Sequence, residues 1–215
     1  MKFDYARDAL KYLIKIFEIE KIYIPYYLCD VIRHAVVEMG CKPIFYHIDD
    51  NFMPVEVFLK EDYILYPNYF GICDKNVKIL VKKYPKLIVD NAHAYYAKPS
   101  GFASFNAEHK FLPVDKGANL WIGKGENDVK FDLKRREKFL YYHNLLKNNL
   151  LTIDIEKNSI PFCYPYLAST EIEADELVNK LTKQGLIIYR YWNRLPKIYN
   201  EYKFFARLVP IPLNE

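Results

Sequence analysis

Glycine is scarce in this chain of 215 residues: there are seven, and none belongs to a GxGxxG or P-loop run. A glycine-rich loop that would cradle a dinucleotide or a nucleoside triphosphate is therefore missing, which argues against a simple nucleotide-binding α/β module. Cysteine is equally sparse. Cys29, Cys41, Cys73 and Cys163 form no CxxC pair, so a zinc site is not expected and the four read as small, reduced core residues. No apolar run reaches the length that spans a bilayer. No signal-peptide pattern opens the sequence, because Met1-Lys2-Phe3-Asp4 leads directly into an amphipathic segment. Long blocks of like charge are absent too: 31 basic and 27 acidic residues are scattered and give a net charge of +4, which excludes a basic nucleic-acid arm. These absences predict a cytoplasmic protein with neither a membrane nor a nucleic acid as partner. Its slightly basic surface favours phosphorylated small molecules.

What the chain does have is apolar content of 51%, with 20 Tyr and 14 Phe, enough to bury a sizeable core and too much for disorder. Apolar residues recur at helical spacing over 6–17, with Asp4 as a candidate N-cap, over 31–39, stopped by Gly40, and over 77–84. Between them lie short apolar runs at 22–25, 44–48, 63–66 and 87–89, the last ending on Asp90. Further short strands are expected at 102–105 and 119–122. Short buried strands alternating with amphipathic helices predict an α/β fold with a mainly parallel sheet covered on both faces. The spacing then changes. A long helix is expected over 133–150, a strand over 161–168, a helix over 171–184 ending at Gly185, and a strand over 186–191. The domains expected are thus 1–130, a large α/β unit, and 131–215, a small C-terminal α+β subdomain.

Strands of a parallel sheet present ligands at their carboxyl ends. Three such ends carry polar groups: Asn68 to Gly71, Asp90 to His93, and Ser104 to Lys110. A carboxylate directly after Leu87-Ile88-Val89 is partly desolvated and gains from a cationic partner. By composition alone, Asp90 also reads as a turn cap and Lys110 as a solvated lysine. Trp121 and Trp192 read as packing residues.

These residues stand in an order that resembles the DegT/DnrJ/EryC1/StrS sugar aminotransferases. The matching segments are Leu87-Ile-Val-Asp-Asn-Ala-His-Ala94, Ala103-Ser-Phe105 and His109-Lys-Phe-Leu-Pro-Val-Asp-Lys-Gly-Ala118. Outlying matches are Tyr5 to Leu10, Ile24 to Cys29, Gly40 to Asp49, Pro67 to Gly71, Pro161 to Pro165, Tyr191-Trp192 and Pro210 to Leu213, so most of the chain is covered. The resemblance implies fold type I of the pyridoxal 5'-phosphate (PLP) enzymes. It implies Lys110 as the lysine that bonds the cofactor and moves the substrate proton, Asp90 as the partner of the pyridine nitrogen, and His93 beside the phenolic oxygen. Ser104, Asn106 and Arg7, with backbone amides at the start of the first helix, are expected to hold the phosphate, and Tyr26 or Tyr27 to stack on the ring. The implied reaction moves an amino group, from glutamate, onto a nucleotide-linked keto-sugar of surface-polysaccharide biosynthesis. The implied assembly is a homodimer with Asn68 to Gly71 at or near the interface.

Two departures from the family pattern bear on this reading. Asp4-Tyr5-Ala6 stands where a Ser/Thr-Gly-Thr-like phosphate turn is usual. Lys134-Arg135-Arg136 follows Gly117 within twenty residues, so a long helical segment is nearly missing from a chain already short for the family. The first points to weak cofactor binding and the second to lost substrate contacts or a lost part of a dimer interface, and together they keep a second reading open: a non-catalytic relative that serves as a binding or partner subunit.

Overall fold

A computed structural model of the chain describes residues 1–213 apart from 128, 130, 131, 193 and 194. The expected boundary between residues 130 and 131 lies outside the described residues. Among the described residues nine strands and six helices follow in the order β1 (Lys2–Phe3), α1 (Ala6–Ile16), β2 (Lys21–Pro25), α2 (Asp30–Glu38), β3 (Lys42–Tyr46), β4 (Ile64–Pro67), α3 (Asp74–Lys83), β5 (Leu87–Asn91), β6 (Ala103–Asn106), β7 (Ala118–Ile122), α4 (Leu133–Leu145), β8 (Cys163–Leu167), α5 (Glu171–Lys183), α6 (Tyr202–Arg207) and β9 (Leu208–Pro212). Short 3-10 turns at Tyr69–Gly71 and Glu108–Lys110 follow β4 and β6.

Seven strands form one sheet in the order β1-β7-β6-β5-β4-β2-β3. Strands β2 to β6 pair in parallel, whereas β7 runs antiparallel to β6 and β1 antiparallel to β7. Every residue of β4, β5 and β6 is buried, as an inner strand covered on both faces requires. One face packs on α1 and α2 through Leu10, Leu13, Ile32 and Val36 against Ile24, Leu65, Ile88 and Phe105. The other packs on α3 through Val77 and Leu80, and on Cys163, Phe204 and Leu208 from the C-terminal part, against Tyr66 and Val89. Each fully buried Leu or Ile on these faces contributes about 1.5–3 kcal/mol relative to exposure. The antiparallel pair β8–β9 forms its own small sheet, whose residues Tyr164, Val209 and Ile211 pack on Phe139 of α4 and on Ala174 and Leu181 of α5.

The C-terminal part departs from expectation in two places. Residues 186–191 form no strand. Their alternation is real, since Leu186 and Ile188 pack on the small core while Ile187 and Tyr189 are exposed, but no backbone ladder joins them. The partner of β8 is β9, in which Pro210 pairs with Pro165. Prolines in both strands hide the strand pattern, and a two-stranded edge is where sheets tolerate them. The helix expected over 133–150 stops at Leu145, because Asn149 anchors a turn there. Its Oδ1 accepts from the Leu151 and Leu167 N–H groups at 3.0 and 2.9 Å, and its Nδ2 donates to the Pro165 carbonyl at 2.9 Å. Among the described residues no helix is long and apolar enough to cross a membrane.

Residues Asn68 to Gly71, expected at or near a dimer interface, are buried within the chain. Phe70 has φ +53° and Gly71 φ +70°, both in the left-handed region. The Phe70 carbonyl accepts the Phe162 N–H at 2.8 Å, tying this loop to the entry of β8. A Cβ on Gly71 would stand 2.4 Å from the His93 carbonyl oxygen. Gly40 has nearly the same φ, +71°, with nothing within 4 Å of its Cβ position. Gly71→Ala is therefore expected to lose about 1–3 kcal/mol more stability than Gly40→Ala, the cost of forcing strained backbone against a fixed neighbour. Thermal melts of the two variants check this, at about 2–4 °C per kcal/mol for a chain of this size. Equal losses would show that the His93 carbonyl moves aside freely.

Candidate active site

The chain runs from β2 outward to β3, then returns to lay β4 on the other side of β2. The loops leaving β2 and β4 thus diverge in opposite directions, and a crevice opens between them at the carboxyl ends of the strands. A cavity of about 210 Å3 lies there. It is lined by Leu28 and Cys29 after β2, Pro67 and Asn68 at the end of β4, Asp90, Ala92 and His93 at the end of β5, and Ala107, His109 and Lys110 after β6, with Tyr5, Ala6 and Arg7 from the start of α1 and Trp192 from the C-terminal part.

Asp90 and Lys110 face this cavity together. Asp90 is 7% exposed, and the one hydrogen bond its carboxylate receives from the described residues comes from the Ala92 N–H, at 2.8 Å. Lys110 is half-buried in the turn after β6, with Nζ 5.9 Å from the centre of the Phe162 ring. The two feel each other's charge, yet no ion pair closes between them within 4.0 Å. Burial lowers the Lys110 pKa below the ordinary lysine range, and Asp90, then Cys29, draw it back up. Burial raises the Asp90 carboxyl, and the Ala92 N–H and Lys110 draw it back down. A lysine made easier to deprotonate and a carboxylate free to meet a cation share one water-poor space.

His93 stands beside them, buried, its ring parallel to Phe162 at 4.4 Å and 14° and to Trp192 at 5.6 Å and 10°. Burial, and then the Lys110 charge, hold it well below the usual imidazole range, so it is neutral at pH 7. Asn68 fixes the end of β5: its backbone N–H donates to the Asp90 carbonyl at 2.9 Å. Its side chain is held by Asp74 at 2.7 Å, Asn91 at 3.3 Å and the Cys73 N–H at 3.0 Å.

Of the eight site residues expected, the structure brings Lys110, Asp90, His93 and Arg7 to the cavity and leaves four outside its lining. Ser104 pairs with Val89, one residue before Asp90, so strand alternation turns it to the opposite face of the sheet; it is wholly buried and its Oγ has no partner among the described residues. Asn106 is on the same side as Ser104 and accepts from the Asn119 backbone N–H at 3.0 Å, joining β6 to β7. Tyr27 is buried in the α3-side core against Trp192, at 4.5 Å. Tyr26 stacks on Phe45 at 5.0 Å and lines a different cavity. The aromatic residues that line the cavity are Tyr5 and Trp192, and Trp192, read from sequence as packing, is among the residues that sequence reasoning missed. His109 is another, and its place beside Lys110 was a visible signal.

The donor set fits a pyridine ring carrying a carbonyl and a phosphate at its lysine, carboxylate and helix-start positions. For the phosphate, Arg7 and the first N–H groups of α1 remain, Arg7 lying 4.0 Å over the Tyr5 ring. Neutral amines, not ammonium ions, add to carbonyls, so reductive methylation of Lys110 is expected at lower pH than that of exposed lysines such as Lys82. Asp90→Asn removes the anion that favours the ammonium form and is expected to shift the Lys110 profile to still lower pH. Mass spectrometry of methylated chains across pH measures both, and an unmoved or upward profile in Asp90→Asn would show that the two groups are uncoupled.

No family model and no curated protein matches the sequence. Solved structures do match the fold. A DegT DnrJ EryC1 StrS aminotransferase from Brucella abortus has a TM-score of 0.74 at 12% identity, over 99% of this chain and 80% of its own. A Streptococcus pneumoniae protein named as a sugar aminotransferase, in its PLP-form, has 0.77 at 12%, over 100% and 82%. Helicobacter pylori PseC, an aminotransferase involved in the biosynthesis of pseudoaminic acid, has 0.71 at 17%, over 100% and 81%. At these identities the likeness establishes architecture: the chain has the fold of the PLP-dependent sugar aminotransferases.

Proposed function

We propose that the chain is a PLP-dependent aminotransferase that moves an amino group from glutamate onto a nucleotide-linked keto-sugar in surface-polysaccharide biosynthesis. In this reading it works as a cytoplasmic homodimer, divided near residue 130 into a cofactor-binding unit and a smaller part that closes over it. One observation carries the proposal. Lys110 and Asp90, opposite in charge and both desolvated, line a single cavity at the switch point of the sheet without pairing to each other. A structural ion pair would close; a pair kept apart suits a group that needs an amine at one side and an anion at another. The PLP- and PMP-forms of the Streptococcus pneumoniae neighbour support the choice of cofactor.

Each residue then has a task. Lys110 Nζ holds the cofactor covalently and takes and returns the proton at the substrate carbon that exchanges the amine. Asp90 keeps a proton on the pyridine nitrogen, which its buried charge favours. His93, neutral and fixed between two rings, offers a hydrogen bond to the phenolic oxygen. Arg7 and the first amides of α1 take the phosphate. When bound, PLP supplies an electron-withdrawing ring that stabilises negative charge at the substrate carbon. The alternative, a non-catalytic relative, is favoured by one observation: Ser104 and Asn106 do not line the cavity, which leaves the phosphate with few donors.

Added PLP is expected to give a visible absorption band, with borohydride fixing the cofactor to Lys110. Lys110→Ala is expected to abolish the fixed adduct. Asp90→Ala should keep it and slow amino-group exchange with glutamate, because the ring then lacks the anion that favours a proton on its nitrogen. A chain that shows no band at millimolar PLP, or that is labelled equally in wild type and Lys110→Ala, is the non-catalytic relative.

A further inference from the structure

Trp192 holds a backbone conformation that bulky residues rarely adopt. Its φ is +60°, in the left-handed region where a β-carbon crowds the following carbonyl. Such strain persists only where neighbouring groups fix it, and it gathers at ligand sites. Two buried tyrosines fix the ring. Tyr27, just after β2, meets it edge-on at 4.5 Å and 77°, and Tyr69, just after β4, meets it edge-on at 5.7 Å and 68°. These are the two loops that diverge to open the cavity beside Asp90. The indole is thus held from both sides of the crevice, with its plane within 10° of the His93 ring. Packing alone does not account for the strain, because the ring is only partly buried. It lines the cavity beside Asp90 and also a separate one of about 280 Å3. The other rings of the first cavity are engaged: the Arg7 guanidinium lies 4.0 Å over Tyr5, and His93 has Phe162 parallel to it at 4.4 Å.

We propose that Trp192 is a cofactor-binding residue whose indole covers one face of the pyridine ring, the task expected of Tyr26 or Tyr27. The inference rests on the aminotransferase reading of the cavity and deepens it. Asp90 favours a proton on the ring nitrogen, which leaves the ring cationic and poor in electrons. Indole is the aromatic side chain that attracts such a ring best. Asp90 and Lys110 act at the edge of the ring and do not set its tilt. Offset stacking on a fixed indole does. Trp192 comes from the C-terminal part, so this contact also joins that part to a cofactor whose other partners belong to the large sheet and α1.

Titration of the full chain with PLP, followed by its visible absorption band, tests the assignment in wild type, W192F, W192L and W121F. W192F keeps a flat ring, W192L fills much of the space without one, and W121F controls for loss of the other tryptophan, on β7. PLP affinity is expected to fall about tenfold in W192L, the size of one good aromatic contact, and to change by less than about threefold in W192F and W121F. Circular dichroism of the visible band at saturating PLP gives a second reading that affinity does not enter. Its intensity is expected to drop by about half in W192L and to persist in W192F. W192M replaces W192L if the latter does not fold. An affinity and dichroism in W192L equal to wild type overturn the assignment, and so does a loss in W192F as large as in W192L, which would mark a merely structural role. Borohydride fixation of PLP at Lys110 is measured on the same proteins. Its absence in wild type sinks the aminotransferase reading and this assignment together, whereas fixation in wild type beside an unchanged W192L sinks the assignment alone.

Discussion

Lys110 and Asp90 attract each other across a buried cavity and do not meet. Much of the chain's architecture bears on that separation. Asp90 is fixed at the end of β5 by a parallel ladder on both sides and by the Asn68 N–H on its carbonyl. Lys110 belongs to a different loop, the turn after β6, whose Glu108 N–H donates to the Gly117 carbonyl at 2.8 Å. A strand holds one charge and a separate turn the other, and the two groups are presented to the cavity from different elements. Leaving them apart has a cost, because neither gains the full Coulomb energy that would offset its desolvation. Uncompensated charge of this kind gathers where a protein binds or reacts.

The sheet was the readable part of the sequence because its signals are local. Leu87-Ile88-Val89 before Asp90 is a buried strand with a polar end, and that pattern depends on four residues in a row. Lys110 and His93 were legible for the same reason, since each lies within a few residues of a strand end. Ser104 shows where such reading stops. Its place in the chain suits a ligand contact, but which face it takes depends on register against Val89, and a register shift of one residue reverses the face. Ser104 and Asn106, expected to face the cavity, therefore lie outside its lining, whereas Arg7 lies within it. Trp192 and β9 were missed for a different reason. Both act through contacts with residues far away in sequence, Trp192 on His93 and β9 on β8, and no local periodicity records a partner a hundred or forty residues away.

His93 illustrates how the two parts of the chain make one site. It leaves β5 in the large sheet, yet the rings parallel to it, Phe162 and Trp192, both come from beyond α4. Gly71 lets this happen, since its missing side chain allows the His93 carbonyl and the Phe162 backbone to close on the same point. The C-terminal part therefore sets the orientation of a ring whose own strand belongs to the other side of the molecule. Loss of packing in the β8–β9 unit would reach the cavity through these stacked rings without touching Asp90 or Lys110.

Lys110 stands in the wall between two cavities of different character. On one side are a carboxylate, a neutral imidazole and the open end of α1; on the other are charged side chains from the start of α4. Burial disfavours the ammonium form of Lys110, while Asp90, then Cys29, oppose it from the first cavity. A lysine that must hold and release a proton in turn gains from such an arrangement, because the charge of its surroundings changes when the substrate arrives and when it departs.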